Sequence, residues 1–417
     1  MTSVTQKNRY TSQKLSFVAS SLVMLCSSAA MAQDSYDDQI QDIKDRVASL
    51  EKTDPLRFGI GVETLYILAD HSEPSRDKYG DYFLDKLELI VSGEWDNGLY
   101  YSSRWDYQVT QQAFFPAWTY AGLNHNDAWS TEIGVIIQPL GAGVDGSYYD
   151  NSFLSDVPLW LGLANNPDLG IKTQYEKNNW HWVAAFTKNT ESSGDNPNAR
   201  FRPDVVAQGN ISPRGFDNQT FAADVEPTNT FHGGGAYTFD LGGSATLQLG
   251  SNGQFGNYHN TATNGDGGDH WAATAFANYI SGGFALTVQG LSYDHNVTNA
   301  PGVNQSDDSI ALSTGALIPA DGQVYSTRLS YSMPASLGIY DNVTFYHDYD
   351  YLNSGSEDMF TSDDTQFNIV GVHLSKGGFH TWVSMLTSKN ANFANGGPAR
   401  NDDNWHSQFN IVGALYF

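Results

Sequence analysis

The chain has 417 residues, with 21 Lys and Arg against 46 Asp and Glu, a formal net charge of −25. That balance excludes a protein whose main partner is a phosphate backbone, because nucleic-acid binding rests on basic surface. Only 16% of residues are charged while 13% are aromatic and 40 are Gly, and mean hydropathy is −0.40. A soluble acidic enzyme carries more charge, about 25%, and a disordered acidic chain carries few aromatics. The composition therefore points to many strands and turns, some of them facing something other than water.

Residues 1–32 have the form of an export signal. Lys7, Arg9 and Lys14 make a positive start, Leu15 to Ala30 a short apolar core, and Ala30-Met31-Ala32 a small-x-small cleavage site, with the cut expected after Ala32. The core is too short and Ser-rich for a membrane anchor, and Leu25 before Cys26 does not fit a lipobox. Cleavage removes the one cysteine, which excludes disulfides, Cys-ligated metals and thiol catalysis in the exported protein. No other stretch reaches the roughly 18 apolar residues of a membrane helix.

Residues 33–54 follow a helical pattern. Ile40, Ile43, Val47 and Leu50 form an a/d seam with polar residues between them, and Pro55 ends it. Two readings stay open: a short periplasmic coiled coil that joins copies on a symmetry axis, or an amphipathic helix lying on its own domain.

From residue 55 to 417 the period switches to two. Strands are predicted at Leu56–Ala69, Phe83–Trp95, Gly98–Thr110, Phe115–Asn124, Ala128–Gln138, Leu169–Lys177, Trp180–Asn189 and Asn229–Phe239. They continue at Gly243–Ser251, Asp269–Ile280, Gly282–Asp294, Gln323–Met333, Gly338–Asp350, Thr365–Lys376, Gly378–Asn390 and Trp405–Phe417. Most run about 10 to 14 residues, near the length a tilted strand needs to cross a bilayer. Tight turns such as Asn178-Asn179 and Gly377-Gly378 alternate along the chain with longer polar segments, among them Pro139–Asp168, Asn252–Gly268 and Ala391–Asn404. A sandwich has no reason to keep its short turns at one end; an outer-membrane barrel does. The expected fold is all-β, a 16-stranded antiparallel transmembrane β-barrel. Eighteen strands are possible if Thr190–Thr228 holds another hairpin.

Alternation assigns faces. Leu99, Tyr101, Trp105 and Tyr107 fall outward, and Ser102, Arg104, Asp106 and Gln108 inward. Trp95, Trp129, Trp180, Tyr279, Trp382 and Trp405 fall near strand ends, where an interfacial girdle belongs. The polar face then lines a lumen, and sixteen strands are wide enough for an aqueous channel.

These hairpin strands, ending in a last strand with Phe409, Ile411, Leu415 and Phe417 on one face, resemble the Gram-negative outer-membrane porins. The run Ile133–Gly141 and the short coil are similar to the phosphate-selective and siderophore porin group, although few basic residues point inward, against phosphate selectivity. The resemblance implies a homotrimer in outer-membrane lipid and lipopolysaccharide. It also implies that Phe417 is the signal read by the barrel-assembly machinery, and that small hydrophilic solutes pass through.

In such porins the loop after the fifth strand folds inward, so the resemblance gives Pro139–Asp168 the constriction. Between Arg104 and Lys172 there is no Lys or Arg, but Asp106, Glu132, Asp145, Asp150 and Asp156 fall there. If the loop enters the lumen, these acids favour cations at its narrowest point; the bland alternative is solvated loop acids. Arg57, Lys86, Arg104, Lys172 and Arg328 are inward by alternation. They either face the acidic loop across an eyelet or pair with wall acids such as Glu63 and Glu88. Tyr148, Tyr149, Phe153 and Trp160 read as loop packing or a sugar-stacking surface. Asp307-Asp308, Asp363-Asp364 and Asp402-Asp403 are candidates for cation bridges to lipopolysaccharide, or simply solvated. Gly265–Asp269 hints at a calcium turn but, as a single Gly/Asp turn without a repeat, reads as a loop turn.

No catalytic, nucleotide or metal motif is found, so no enzyme activity, cofactor or metal is expected. The expected function is a passive, cation-preferring diffusion channel for small hydrophilic solutes. A sugar-, siderophore- or phosphate-specific porin, a non-conducting surface-binding barrel and a soluble secreted β protein remain as alternatives.

Overall fold

The computed structural model describes residues 56–70, 79–109, 112–146, 151–152, 156–191, 200–205, 210–211, 221–222, 225–298, 308–313, 316–355, 364–394 and 403–417. The expected signal at 1–32, the expected helical segment at 33–54, and Tyr148, Tyr149, Asp150, Phe153, Asp307, Asp363 and Asp402 lie outside these residues.

The strands are β1(Leu56–Ala69), β2(Asp81–Glu94), β3(Leu99–Gln108), β4(Ala113–Asn124), β5(Trp129–Ile137), β6(Pro167–Lys177), β7(Trp180–Thr190), β8(Asn210–Ile211), β9(Phe221–Ala222) and β10(Val225–Gly242). They continue as β11(Ala245–Asn260), β12(Gly265–Ser281), β13(Phe284–Val297), β14(Ser309–Ala311), β15(Leu317–Pro319), β16(Asp321–Leu337), β17(Tyr340–Ser354), β18(Thr365–Lys376), β19(Phe379–Lys389) and β20(Trp405–Tyr416). Sixteen of them close into one barrel, in which each pairs antiparallel with its chain neighbour and β1 pairs with β20. Closure leaves no edge unpaired, as a bilayer demands. The pairs β8–β9 and β14–β15 form separate two-stranded sheets within loops, so the segment after β7 adds no barrel strand.

The tight connections carry the chemistry their geometry needs. Asn178 and Asn179 both take positive φ, at 52° and 68°, which a two-residue hairpin with the right twist requires and Asn tolerates. Two predicted loops become strand. Asn252–Gly268 is mostly β11 and β12, joined by residues 261–264 alone, and the Gly265–Asp269 turn lies at the start of β12. Its polar residues are the inward half of an alternating pattern: Asn252 and Gln254 are buried while Phe255 is 63% exposed. Pro334 to Leu337 likewise belongs to β16, at a register shift where the missing N–H of proline is tolerated.

The outer surface presents the apolar half, including Phe58, Leu99, Ile133 and Val370. Such a continuous exposed apolar belt is what lipid covers. Trp95, Trp129, Trp180 and Trp405 are on it. Trp382 is a correction: it points inward, stacked on His373 with ring centroids 4.3 Å apart and packed against the interior core.

Candidate functional site: a lumen crossed by a loop

A ladder of charge runs up the inner wall of β1–β3. The pairing register sets Glu63 opposite Lys86 and Glu88 opposite Asp106. Lys86 Nζ lies 3.0 Å from Glu63, 3.0 Å from Glu88 and 3.6 Å from Asp106. Arg104 holds Asp106 through Nε at 2.8 Å and a second nitrogen at 2.9 Å, and also pairs with Glu88. Tyr416 of the closing strand donates to Glu63 at 2.5 Å. This bidentate, multiply shared geometry fixes the side chains far better than isolated pairs would. Three acids meet two bases, so the ladder is formally acidic.

One strand pair further, Glu132 on β5 faces Lys172 on β6 at 3.1 Å. Lys172 also reaches the carbonyl of Asp145 at 3.5 Å, tying the base of the long loop to this wall.

That loop crosses the barrel. Its neck is closed by Gln138, whose N–H donates to the Asn166 carbonyl at 2.8 Å. Asn252 on β11 donates to the carbonyls of Gly141 and Gly143 at 3.0 and 2.9 Å, and Asn278 on β12 donates to Ala142 at 2.9 Å. Further along, Asn151 donates to Asp348 at 2.7 Å, and the Val157 N–H donates to Asp350 at 3.0 Å. Asp348 and Asp350 are on β17, eight strands from β5 in a ring of sixteen, which is the opposite wall.

A short helix, α1(Val157–Trp160), forms at this far end. Asp156 caps it, accepting from the Leu159 N–H at 3.0 Å, as a side-chain acceptor at a helix start should. Arg328 on β16 joins Asp156 and lies 2.8 Å from Asp350.

The candidate site residues thus fall into groups. Asp106, Lys86 and Arg104 meet in the ladder; Glu132 and Lys172 pair beside the loop base; Asp156 and Arg328 meet on the far wall. Arg57 is separate, in an open depression near the turn between β2 and β3 that is lined also by Glu94 and Tyr100. Asp150 lies outside the described residues. Of the two alternatives open for the basic residues, pairing with wall acids is the arrangement seen for Lys86, Arg104 and Lys172. Strand register sets Lys86 opposite Glu63 and Lys172 opposite Glu132, whereas Arg104 reaches Asp106 two residues along its own strand and Glu88 diagonally. Asp156 is buried in an ion pair with Arg328 rather than projecting free.

Several residues escaped the sequence reading. Asp348, Asp350, Asn252 and Asn278 on the strands and Asn151 in the loop anchor the crossing, and only the inward parity of the strand residues hinted at this. Arg104 sits 5.4 Å from the ring centres of both Trp118 and Phe201, which brings the loop after β7 back to β3 in a cation–π contact. The largest surprise is apolar. Leu161, Leu163, Leu312, Ile318, Leu352 and Phe367 belong to one buried cluster between loops and the inner wall. That side of the lumen is a packed core, whereas Lys86 and Arg104 keep 15% and 17% side-chain exposure on the other.

A closed barrel with an apolar belt, short turns at one end and a loop folded across its interior is the outer-membrane architecture. The chain has the fold of an outer-membrane porin. Solved structures share this fold. The outer membrane channel DcaP of Acinetobacter baumannii superposes with a TM-score of 0.54 at 9% identity, over 87% of this chain and 97% of that one. The outer-membrane expressed OmpT of Vibrio cholerae gives 0.51 at 10% identity, over 87% and 97%. A trimer form of that OmpT, folded in vitro, gives 0.51 at 11%, over 87% and 99%. No family model and no curated protein matches the sequence. The porin fold thus persists here with little sequence in common, as an architecture fixed by strand number and closure allows.

Proposed function

We propose that the protein is a passive, cation-preferring channel for small hydrophilic solutes and ions across the bacterial outer membrane. The observation that carries this is the loop from β5 to β6, which spans the lumen and narrows a barrel otherwise wide enough for water. Acid outnumbers base on both walls that flank the crossing. Glu63, Glu88 and Asp106 stand against Lys86 and Arg104; Asp156, Asp348 and Asp350 stand against Arg328. Within a low-dielectric wall such an excess raises the local cation concentration and lowers that of anions. No covalent step and no cofactor enter this reading.

We read the assembly as a homotrimer, by analogy with the trimer form of the Vibrio cholerae protein. Export by the 1–32 signal, recognition of Phe417 by the assembly machinery and contact with lipopolysaccharide belong to the same reading.

The test is reconstitution of the full-length protein in planar bilayers. Discrete conductance steps that grow with salt, without saturable block by sugars, phosphate or siderophores, are expected. Saturable block by one solute would replace this reading with a specific porin, and absence of conductance would replace it with a surface-binding barrel.

A further inference from the structure

Where the crossing loop returns to β6, three acids from separate parts of the chain converge. A carboxylate oxygen from each of Asp168, Glu191 and Asp204 lies within 4.8 Å of the other two. Asp168 opens β6, Glu191 follows β7, and Asp204 lies in the loop after β7. The base beside them is Arg200, 3.2 Å from Asp204.

Their hydrogen bonds leave oxygens over. Asp168 accepts from Gln138 at 2.6 Å through Oδ2, and its Oδ1 accepts nothing among the described residues. Glu191 accepts the Phe201 N–H at 3.0 Å through Oε1, and its Oε2 accepts nothing among the described residues. Asn166, 3% exposed, donates its amide to Asp204 at 2.9 Å. That bond fixes the amide orientation and leaves Asn166 Oδ1 buried without a donor. Asn166, Asp168 and Asp204, though not Glu191, line one partly open cavity of about 30 Å³, with Gln254, Tyr258 and His295.

A buried oxygen without a donor is costly, and uncompensated buried carboxylates are more so. A cation among these oxygens removes both penalties at once. Oxygens that lie within 4.8 Å of one another can share one calcium ion at about 2.3–2.6 Å each. The donors are all hard oxygens, which suits Ca²⁺ and not a soft transition metal.

We infer that Asp168, Glu191 and Asp204, with Asn166 Oδ1, form a divalent-cation site of the Ca²⁺ type that clips the returning end of the crossing loop to the loop after β7. The clip reaches a third loop as well. Asp204 donates its N–H to Ser313 at 3.2 Å and accepts the Ser313 N–H at 2.8 Å, and Val205 bridges Leu312. The site is a structural lock on the loops that fill one side of the lumen, and it stands whether or not the barrel conducts.

The experiment uses the full-length folded protein in detergent, stripped with EDTA and dialysed. Tb³⁺ titration should give luminescence sensitised by Tyr258, with one Ca²⁺-displaceable ion per chain. Ca²⁺ should also raise the unfolding temperature of the stripped protein. Asp168→Asn and Glu191→Gln should each weaken binding by at least roughly tenfold, as lost metal contacts do, while Asp364→Asn in an outer loop should not. Wild-type protein that binds no Tb³⁺ and unfolds at the same temperature in EDTA and in Ca²⁺ would overturn the inference. So would binding unaffected in Glu191→Gln, which lies just past the end of β7, outside the barrel strands, and is therefore the variant that retains the barrel.

Discussion

Asp156 and Arg328 meet on the far wall of the barrel although 172 residues separate them in sequence. Asp156 caps the loop helix and Arg328 projects from β16, so this pair pins the crossing loop where its span ends. Asp350 shares Arg328 at 2.8 Å and accepts the Val157 N–H at 3.0 Å. Two carboxylates and a helix start therefore depend on one guanidinium.

Arg328→Met leaves both acids buried without their cation. Breaking a buried pair this way costs about 3–5 kcal/mol, and here the loss is borne by loop docking rather than by the barrel. Single-channel recordings should show a larger and noisier conductance than wild type, while the heat-dependent gel shift of the folded barrel persists. Unchanged conductance would remove the loop from the constriction.

Gly162 holds φ at +73°, and a Cβ there would meet the Pro203 carbonyl oxygen at 2.5 Å. Gly162→Ala combines a left-handed backbone cost of about 1–2 kcal/mol with a clash between two loops. Amide hydrogen exchange across 157–166 should speed up while the barrel strands keep their protection.

Phe417 closes the seam. Its N–H donates to Ile60 at 2.9 Å and its carbonyl accepts from Ile60 at 3.2 Å. Removing Phe417 should lower the yield of folded barrel in the outer membrane, read by the same gel shift, beyond what two lost backbone bonds explain if the residue is also an assembly signal.

Arg104→Gln removes one base from the ladder and leaves Glu88 and Asp106 to Lys86. A unit charge at roughly 10 Å in water is worth about 0.4 kcal/mol for each ion, with opposite sign for cation and anion, so the cation-to-anion permeability ratio should rise about fourfold. Bi-ionic potentials of the variant and wild type measure this directly.

The barrel was legible from the sequence because two signals reinforced each other. Alternation marked β1 and β18 at their observed ends, and Asn178-Asn179 marked a turn that only certain residues make. The extension of β11 and β12 was hidden because Asn252 and Gln254 look like loop residues until their inward parity is recognised. The site was legible by type rather than by arrangement. Alternation placed Lys86 and Arg104 inside, yet it carries no register, and register decided that they meet Glu63 and Glu88 on their own wall. Asp350 stands 22 residues from Arg328 on the neighbouring strand, a separation set by hairpin length and not by any motif. The inward Leu352 and Phe367 contradicted a wholly wet lumen, and only the loops packed against them explain why.

The central claim is an acidic, loop-narrowed passage. Reversal potential of the wild-type protein in a planar bilayer under a KCl gradient tests it most directly. The account predicts open-channel steps whose reversal potential has the sign of K⁺ selectivity. A reversal potential of the opposite sign, showing preference for Cl⁻, would contradict it.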